Sequence, residues 1–317
     1  MKHIVFLTYS MQNGGTERVV SALANDFTTR GDKVTIVLLD EEKTPGYALD
    51  ERIKLIYLSL GRLSKNKLQS VANMLREIKA FRRCFRDIKP DVVVAFKCKY
   101  AVMAKIASLK TRVIGSERSN PNRPSHKVSP WLRRLTVFTD GYIFQTQGAR
   151  ALYPKRTAAK SVVIPNGVFL NIPKEIPTYE SRRKVIVSTG RLIKHKRYDL
   201  IVEAFAELNK RVPEYQLHIF GKGKEEKSIV SKIKETGVED SAFLMGVTSD
   251  IAGELLSDRI FILASDYEGM PNGLIEAMAC GCACVSTDCD FGPSELIVDG
   301  ENGSLVQKGS KERLAEA

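Results

Sequence analysis

Two glutamates eight positions apart, Glu268 and Glu276, flank the stretch Gly269-Met270-Pro271-Asn272-Gly273-Leu274-Ile275. Pro271 suits a first helical turn, where its missing N–H is not needed. Leu274, Ala277 and Met278 then recur at helical spacing and give one apolar face. On this reading Glu268 lies in the loop ahead of a helix and Glu276 about a turn inside it. The helix start between them offers backbone N–H groups without intrahelical partners, and an anion is attracted there. A loop carboxylate, an anion-binding helix start and a second carboxylate on the helix make one polar ligand site. Two acids at this spacing are commonplace on a solvated surface; the glycines and proline between them set this segment apart.

A cluster of cations lies upstream, in Gly190-Arg191-Leu192-Ile193-Lys194-His195-Lys196-Arg197-Tyr198-Asp199. It follows the apolar run Val185–Ser188 and so arrives at the carboxyl end of a strand, the usual ligand edge of an open α/β sheet. Arg191, with its planar fork, and Lys196, as a point charge, suit a diphosphate. Lys194 and Arg197 read as solvated. Near the amino terminus, Gly14-Gly15-Thr16-Glu17 follows the first apolar run and opens a helix. Its glycines let backbone approach a phosphate, or else the segment is a tight turn with Thr16 as N-cap. Gly221-Lys222-Gly223 suggests half of a dinucleotide fingerprint, but Glu226 stands where the third glycine belongs. His3 and His218 fall in strands and read as packed, while His126 and His195 read as exposed. Cys280, Cys282 and Cys284 alternate without the two-residue gap of a zinc site, and read as small buried thiols.

The elements that must position these residues alternate regularly. Predicted strands are Ile4–Leu7, Val34–Leu39, Ile53–Leu58, Val92–Phe96, Arg112–Ile114, Tyr142–Phe144 and Val162–Ile164. A second series comprises Val185–Ser188, Gln216–Phe220, Phe243–Met245, Ile260–Ala264, Cys284–Ser286 and Ser304–Val306. Several are apolar on successive residues, as parallel strands buried on both faces require. Helical periods lie between them, such as Val19, Leu23 and Phe27, or Leu68, Val71, Leu75, Ile78, Phe85 and Ile88. The alternation predicts doubly wound α/β architecture. The break at Pro165-Asn166-Gly167, followed by Pro173 and Pro177, predicts two Rossmann-like domains, 1–168 and 169–317. Lys311–Ala317 reads as the start of a helix, so a continuation beyond Ala317 is expected.

A chain of 317 residues, 43% hydrophobic and 27% charged, is that of an ordinary globular protein. It shows neither a membrane-spanning run nor a secretory leader, and a cytoplasmic location is expected. The net charge of +12 is unevenly spread. Residues 1–170 hold 30 Lys and Arg against 13 Asp and Glu, a balance of +17; the remainder hold 19 against 24, a balance of −5. The basic positions include Arg62, Lys65, Lys67, Arg76, Lys79, Arg82, Arg83, Arg86 and Lys89, with Lys97, Lys99, Arg123, Lys127, Arg133 and Arg134 further on. Such one-sidedness predicts attraction to an anionic membrane surface, with Trp131 either an interfacial anchor or core. No nucleic-acid-reading motif accompanies the charge.

Taken together, the segments resemble the retaining glycosyltransferases of family four. The matching pieces are Gly14-Gly15, Val163-Ile164-Pro165-Asn166-Gly167-Val168, Gly190-Arg191-Leu192 with Lys196 and Asp199, Glu268 with Glu276-Ala-Met-Ala-Cys-Gly281, and Phe291-Gly-Pro-Ser-Glu295 with Asn302-Gly303. They run in the family's order across nearly the whole chain. The resemblance implies the GT-B fold, two Rossmann-like domains facing each other across a cleft. It also implies transfer of a hexose or N-acetylhexosamine from a nucleotide diphosphate sugar to a glycan or polyprenyl-diphosphate-linked acceptor in envelope polysaccharide synthesis. The Gly292-Pro293-Ser294-Glu295 variant points to a UDP-sugar. No cofactor is expected, and no metal, since cations and helix N–H groups can stabilise the leaving diphosphate.

The resemblance further implies that Arg191 and Lys196 hold the diphosphate, helped by backbone at Gly14, Gly15 and Gly269, Met270, Pro271, Asn272, Gly273 and Leu274. Glu276 would bind the ribose hydroxyls, Glu268 the transferred sugar, and Gly246-Val247 would lie beside the base. Glu268, Arg191 and Lys196 are then the catalytic group. One departure concerns the N-terminal domain, where relatives often carry a sugar-contacting histidine. Here Gly115-Ser116-Glu117-Arg118 stands in that place, so Glu117 and Arg118 are the expected acceptor-side residues. Other readings are a non-hydrolysing sugar-nucleotide epimerase on the same fold, a non-catalytic nucleotide-sugar-binding subunit and, from Gly221-Lys222-Gly223, a nicotinamide-dependent dehydrogenase.

Overall fold

In a computed structural model of the chain, residues 1–12, 14–41, 43–60, 67–122 and 128–317 are described, without the side chains of Lys67 and Leu68. They form two compact units, Met1–Pro165 and Asn166–Ala317. The first runs β1 (His3–Thr8), α1 (Gly15–Thr29), β2 (Lys33–Leu38), β3 (Lys54–Tyr57), α2 (Lys67–Ile88), β4 (Val92–Phe96), α3 (Cys98–Ala107), β5 (Arg112–Glu117), α4 (Pro130–Leu135), β6 (Gly141–Phe144), α5 (Gln147–Ala151), α6 (Lys155–Ala159) and β7 (Ser161–Val163). The second runs β8 (Arg183–Thr189), α7 (Tyr198–Asn209), β9 (Gln216–Phe220), α8 (Glu226–Thr236), β10 (Ala242–Gly246), α9 (Ile251–Ser257), β11 (Asp258–Leu263), α10 (Asn272–Ala279), β12 (Ala283–Asp288), α11 (Pro293–Leu296), β13 (Ser304–Gln307) and α12 (Lys311–Glu316).

Each predicted strand has a counterpart, because β1, β2, β8 and β12 bury successive residues and so announce themselves as continuous apolar runs. All pairings within the two sheets are parallel. The orders are β3-β2-β1-β4-β5-β6-β7 and β10-β9-β8-β11-β12-β13. In each the order reverses beside the unit's first strand. That creates a crevice outside the carboxyl ends of β1 and β4, and another outside those of β8 and β11. The division falls three residues before the expected 168. Asn166 belongs to the second unit, where its side-chain amide donates to Asn272 Oδ1 at 2.5 Å.

Helix α2 departs from its predicted stripe. Its buried face comprises Ile78, Phe81, Cys84 and Phe85, with Met74 and Ile88 partly covered, packed in one core with Tyr100, Met103 and Ala104 of α3. Val71 and Leu75 are 52% and 53% exposed. At ~100° per residue Leu75 lies about 120° from Phe81, off the face that meets α3. Leu75 thus points off the packed face, while Val71, about 20° from Ile78, shares its direction and is nevertheless exposed. Glu77, about 40° from Phe81, is buried on the packed face and holds Lys99 of α3 at 2.7 Å.

All six cysteines are free and buried. Burial pushes the Cys98, Cys282 and Cys289 thiols up to about 12, so they stay protonated and pack as small apolar groups. Leu314 and Ala315 of α12 join the core around α7, and Arg211 donates to the Ala315 carbonyl at 2.7 Å. No helix among the described residues is long and apolar enough to cross a membrane.

Candidate functional site

In the second unit the ligand edge is built from loops that bind one another. Gly190 ends β8 with φ +145 and donates to the Phe220 carbonyl; Gly221 donates to Gly246, the last residue of β10. A Cβ on Gly223 would meet the Leu192 carbonyl oxygen at 2.1 Å, and one on Gly221 would meet that of Gly190 at 1.8 Å. The paired glycines therefore let the loop after β9 lie directly on the loop after β8. They serve backbone packing, and the dinucleotide reading of Gly221-Lys222-Gly223 is replaced by that role. Gly246 has φ +74, and Val247 beside it is 75% exposed.

The loops after β8 and β11, which flank the crevice, are joined by successive contacts. Asp266 N–H donates to the His195 carbonyl at 2.8 Å. The His195 ring stacks on Tyr267, centroids 4.4 Å apart at 13°. Lys196 Nζ reaches Glu268 Oε1 at 2.6 Å, and Arg197 reaches Asp266 at 3.3 Å while also holding Asp199. His195 is thus half-buried in a stack rather than simply exposed, and burial, with Lys196 and Arg191 nearby, lowers its pKa. Arg197 is likewise engaged by two aspartates, not freely solvated. His126 lies outside the described residues.

The same Glu268 oxygen also accepts from the Ser265 hydroxyl at 2.6 Å, and the Glu268 backbone N–H donates to the Asp290 carbonyl. Glu268 and Lys196, predicted to take different parts of a ligand, therefore neutralise each other. Their side chains are 11% and 16% exposed. Arg191 is exposed, and its side chain has no hydrogen bond or ion pair among the described residues, which leaves its guanidinium available.

Helix α10 begins after Pro271, which is extended at φ −76, ψ 103 and lies just outside the first turn expected to contain it. No side chain caps its N-terminus. The first N–H groups, at Asn272, Gly273 and Leu274, precede the first intrahelical bond, from Ile275 N–H to the Pro271 carbonyl. Gly273 lets the helix start lie close to β8: a Cβ there would meet Thr189 Oγ1, at the end of that strand, at 2.5 Å. Met270 is buried, and Gly292 packs so closely on the Gly269–Pro271 turn that a Cβ would lie 2.6 Å from Pro271 Cδ. Glu276, fifth in the helix, is 8% exposed. The edge thus combines an available cation, an uncapped helix start and a nearly buried carboxylate, an array suited to a ligand with anionic and hydroxyl groups.

In the first unit Gly14 is the extended N-cap of α1 and Gly15 its first residue, so Thr16 lies inside the helix and caps nothing. Glu117 ends β5 and is 2% exposed, accepting from the Tyr153 hydroxyl at 2.7 Å and from Ser119 at 3.1 Å. It is a buried anchor of the strand end. Burial lowers the Arg118 guanidinium to about 10. One residue escaped the sequence reading as a site candidate. Lys97, at the end of β4 on the crevice edge, has φ +116, strained for a side-chain-bearing residue, and its ammonium lies 5.7 Å from the Tyr9 ring centre and 5.9 Å from that of Tyr100. A cation directly after the apolar run Val92–Phe96 was its only signal. Trp131 is 54% exposed on α4, which excludes the core reading. Arg76, Lys79, Arg82, Arg83, Arg86 and Lys89 are exposed along α2; Arg62, Lys65, Arg123, Lys127 and the Lys67 side chain lie outside the described residues.

Residues 13–171 match the model of Glycosyltransferase Family 4, and residues 172–317 match that of Glycosyl transferases group 1. The chain belongs to glycosyltransferase family 4. It is 26% identical, over all of its length and 89% of the relative's, to an uncharacterized glycosyltransferase of Haemophilus influenzae. It is 27% identical, over 97% of its length and 86% of the relative's, to a Campylobacter jejuni enzyme named N-acetylgalactosamine-N,N'-diacetylbacillosaminyl-diphospho-undecaprenol 4-alpha-N-acetylgalactosaminyltransferase. Among solved structures, the lipopolysaccharide outer core galactosyltransferase WaaB aligns with TM-score 0.75 at 22% identity, covering 100% of this chain and 88% of that one. Anabaena HepE in complex with UDP and glucose aligns with TM-score 0.73 at 19% identity, with the same coverage. At such identities these structures speak for the fold, which is GT-B.

Proposed function

We propose that this family 4 glycosyltransferase transfers a hexose or N-acetylhexosamine, with retention of anomeric configuration, from a UDP-sugar to a glycan or polyprenyl-diphosphate-linked acceptor in envelope polysaccharide synthesis. The observation that supports the reading is that exposed Arg191 follows β8 and the uncapped start of α10, with nearly buried Glu276 further inside it, follows β11, the two strands beside which the order reverses. In this reading Arg191 and the N–H groups at Met270–Leu274 hold the diphosphate, and Gly246 and Val247 border the base. Glu276 accepts from the ribose hydroxyls. Lys196 faces the diphosphate while Glu268, which it holds, orients the transferred sugar. Leaving-group charge is met by guanidinium, ammonium and helix N–H groups, so turnover persists in the presence of a chelator. In the first unit, Gly14 and Gly15 offer backbone N–H groups to phosphate, and Arg118 and Lys97 are cations for an anionic acceptor.

The Campylobacter relative's name specifies an undecaprenyl diphosphate acceptor, which supports a lipid-linked acceptor here. An anionic membrane surface is the matching partner: α2 exposes Val71 and Leu75 beside Arg76, Lys79 and Arg83, and α4 exposes Trp131 beside Arg134. This implies a cytoplasmic protein peripheral on the inner membrane face.

The test is a panel of UDP- and GDP-sugars offered to the purified chain, read by thermal stabilisation and by slow donor hydrolysis. Stabilisation by a UDP-sugar supports the assignment, and a response to GDP-sugars alone would replace the base. Indifference to every donor would remove the proposal. NMR of the product's anomeric signal decides retention, and co-sedimentation with anionic vesicles at low salt decides the membrane partner.

A further inference from the structure

The second unit carries a titratable cluster that the donor site does not use. His218 of β9, Glu254 of α9 and Asp258 at the start of β11 each bring one ligand atom to within 4.8 Å of the others. His218 is 8% exposed and the Asp258 side chain is 0% exposed, while Glu254 is 29% exposed and opens the cluster to solvent. Arg183, at the start of β8, touches Glu254 at 2.6 Å and Asp258 Oδ1 at 2.7 Å.

That guanidinium accounts for only part of the polar surface buried here. Among the described residues, Asp258 Oδ2 and His218 Nδ1 are sealed from water with no hydrogen-bond partner. Buried polar atoms are ordinarily paired, so two orphans in one cluster point to an absent partner able to satisfy both. The imidazole is oriented for such a partner. Its Nε2 faces the Gln216 side-chain oxygen at 3.3 Å, which favours the tautomer protonated at Nε2 and leaves the Nδ1 lone pair directed elsewhere.

We infer that His218 Nδ1, a Glu254 oxygen and Asp258 Oδ2 form a binding site for a divalent transition-metal ion such as zinc(II), which Arg183 occupies electrostatically in the metal-free protein. One imidazole and two carboxylates are a donor set suited to zinc, with water completing four-coordination. The two carboxylate charges balance a divalent ion. Arg183 must then withdraw, and its side chain, 49% exposed, has solvent to withdraw into. The ion would tie α9 to β9 and β11. The site lies near the amino-terminal ends of β8 and β11, away from the crevice at their carboxyl ends, so it acts independently of the donor reading.

The experiment titrates chelator-stripped full-length protein with zinc(II) by calorimetry, and with cobalt(II) by absorption. Expected is one ion per chain, a tetrahedral cobalt spectrum without thiolate charge-transfer bands, and affinity weakened on the order of tenfold or more by Glu254→Gln or His218→Ala. Arg183→Met removes the competing cation and should tighten binding by a similar factor. Thiolate bands would assign the ion to cysteines and overturn the proposal, as would absent binding. Affinity unchanged in Glu254→Gln, the partly exposed position least able to disturb folding, would also overturn it.

Discussion

Lys196 Nζ and Glu268 Oε1 stand 2.6 Å apart, joining the loop after β8 to the loop after β11 across the point where the strand order reverses. Both side chains are largely covered, and the Ser265 hydroxyl completes the coordination of the same carboxylate oxygen. A pair so placed holds the two loops in register. It also keeps one cation and one carboxylate oriented.

Breaking that pair from either side should therefore affect stability as well as transfer. Lys196→Ala leaves a mostly covered carboxylate without its cation, and a loss of up to about 3 kcal/mol is expected, with Lys196→Met little better. Glu268→Gln keeps an acceptor for Ser265 and should cost less. In a double-mutant cycle by urea denaturation, a coupling energy near zero would show that the contact contributes nothing to stability.

Arg191 separates binding from folding more cleanly. It is exposed and its side chain has no partner among the described residues, so Arg191→Ala should change unfolding free energy by no more than about 0.5 kcal/mol. UDP affinity should nevertheless fall at least about tenfold, the loss of roughly one charge-assisted hydrogen bond. Calorimetry with UDP on both proteins gives the answer, and unchanged affinity would remove Arg191 from the site.

Lys97 tests whether backbone strain is stored beside the first unit's crevice. At φ +116 a side chain is disfavoured whatever its chemistry. Lys97→Gly should thus be more stable than Lys97→Ala, by about 1–3 kcal/mol, reversing the usual order of these residues. Both variants lose the cation and should lose transfer activity alike. Thermal melts of the two side by side measure the difference.

A pH dependence follows from His3. Burial, reinforced by Lys33, lowers its pKa, and its ring lies 2.9 Å from both the Ile88 carbonyl and the Thr35 hydroxyl. The unfolded chain, with His3 near the ordinary 6.5, binds the proton more readily than the folded one. Its contribution is therefore fully present above that value and is lost as pH falls through the folded pKa. Urea midpoints should decline as pH is lowered below about 6.5, and less steeply in His3→Gln. Equal slopes for the two proteins would exclude His3 as a cause.

The residues alone determined the two parallel sheets, because strands buried on both faces must be written as continuous apolar runs such as Val92–Phe96 and Val185–Ser188. They also determined the order of loop, helix and acid around Glu268 and Glu276, since proline and glycine are local in their action. Tertiary structure alone decided what those groups do to one another. That Lys196 meets Glu268, 72 positions away, depends on β8 and β11 being neighbours, which no local pattern encodes. The same holds for Gly221 and Gly223, glycine because another loop's backbone lies where a Cβ would go. It holds too for Val71 and Leu75, which share α2's apolar spacing but are left exposed. Periodicity reports how a segment repeats; which of its faces finds a partner is settled only when distant elements pack.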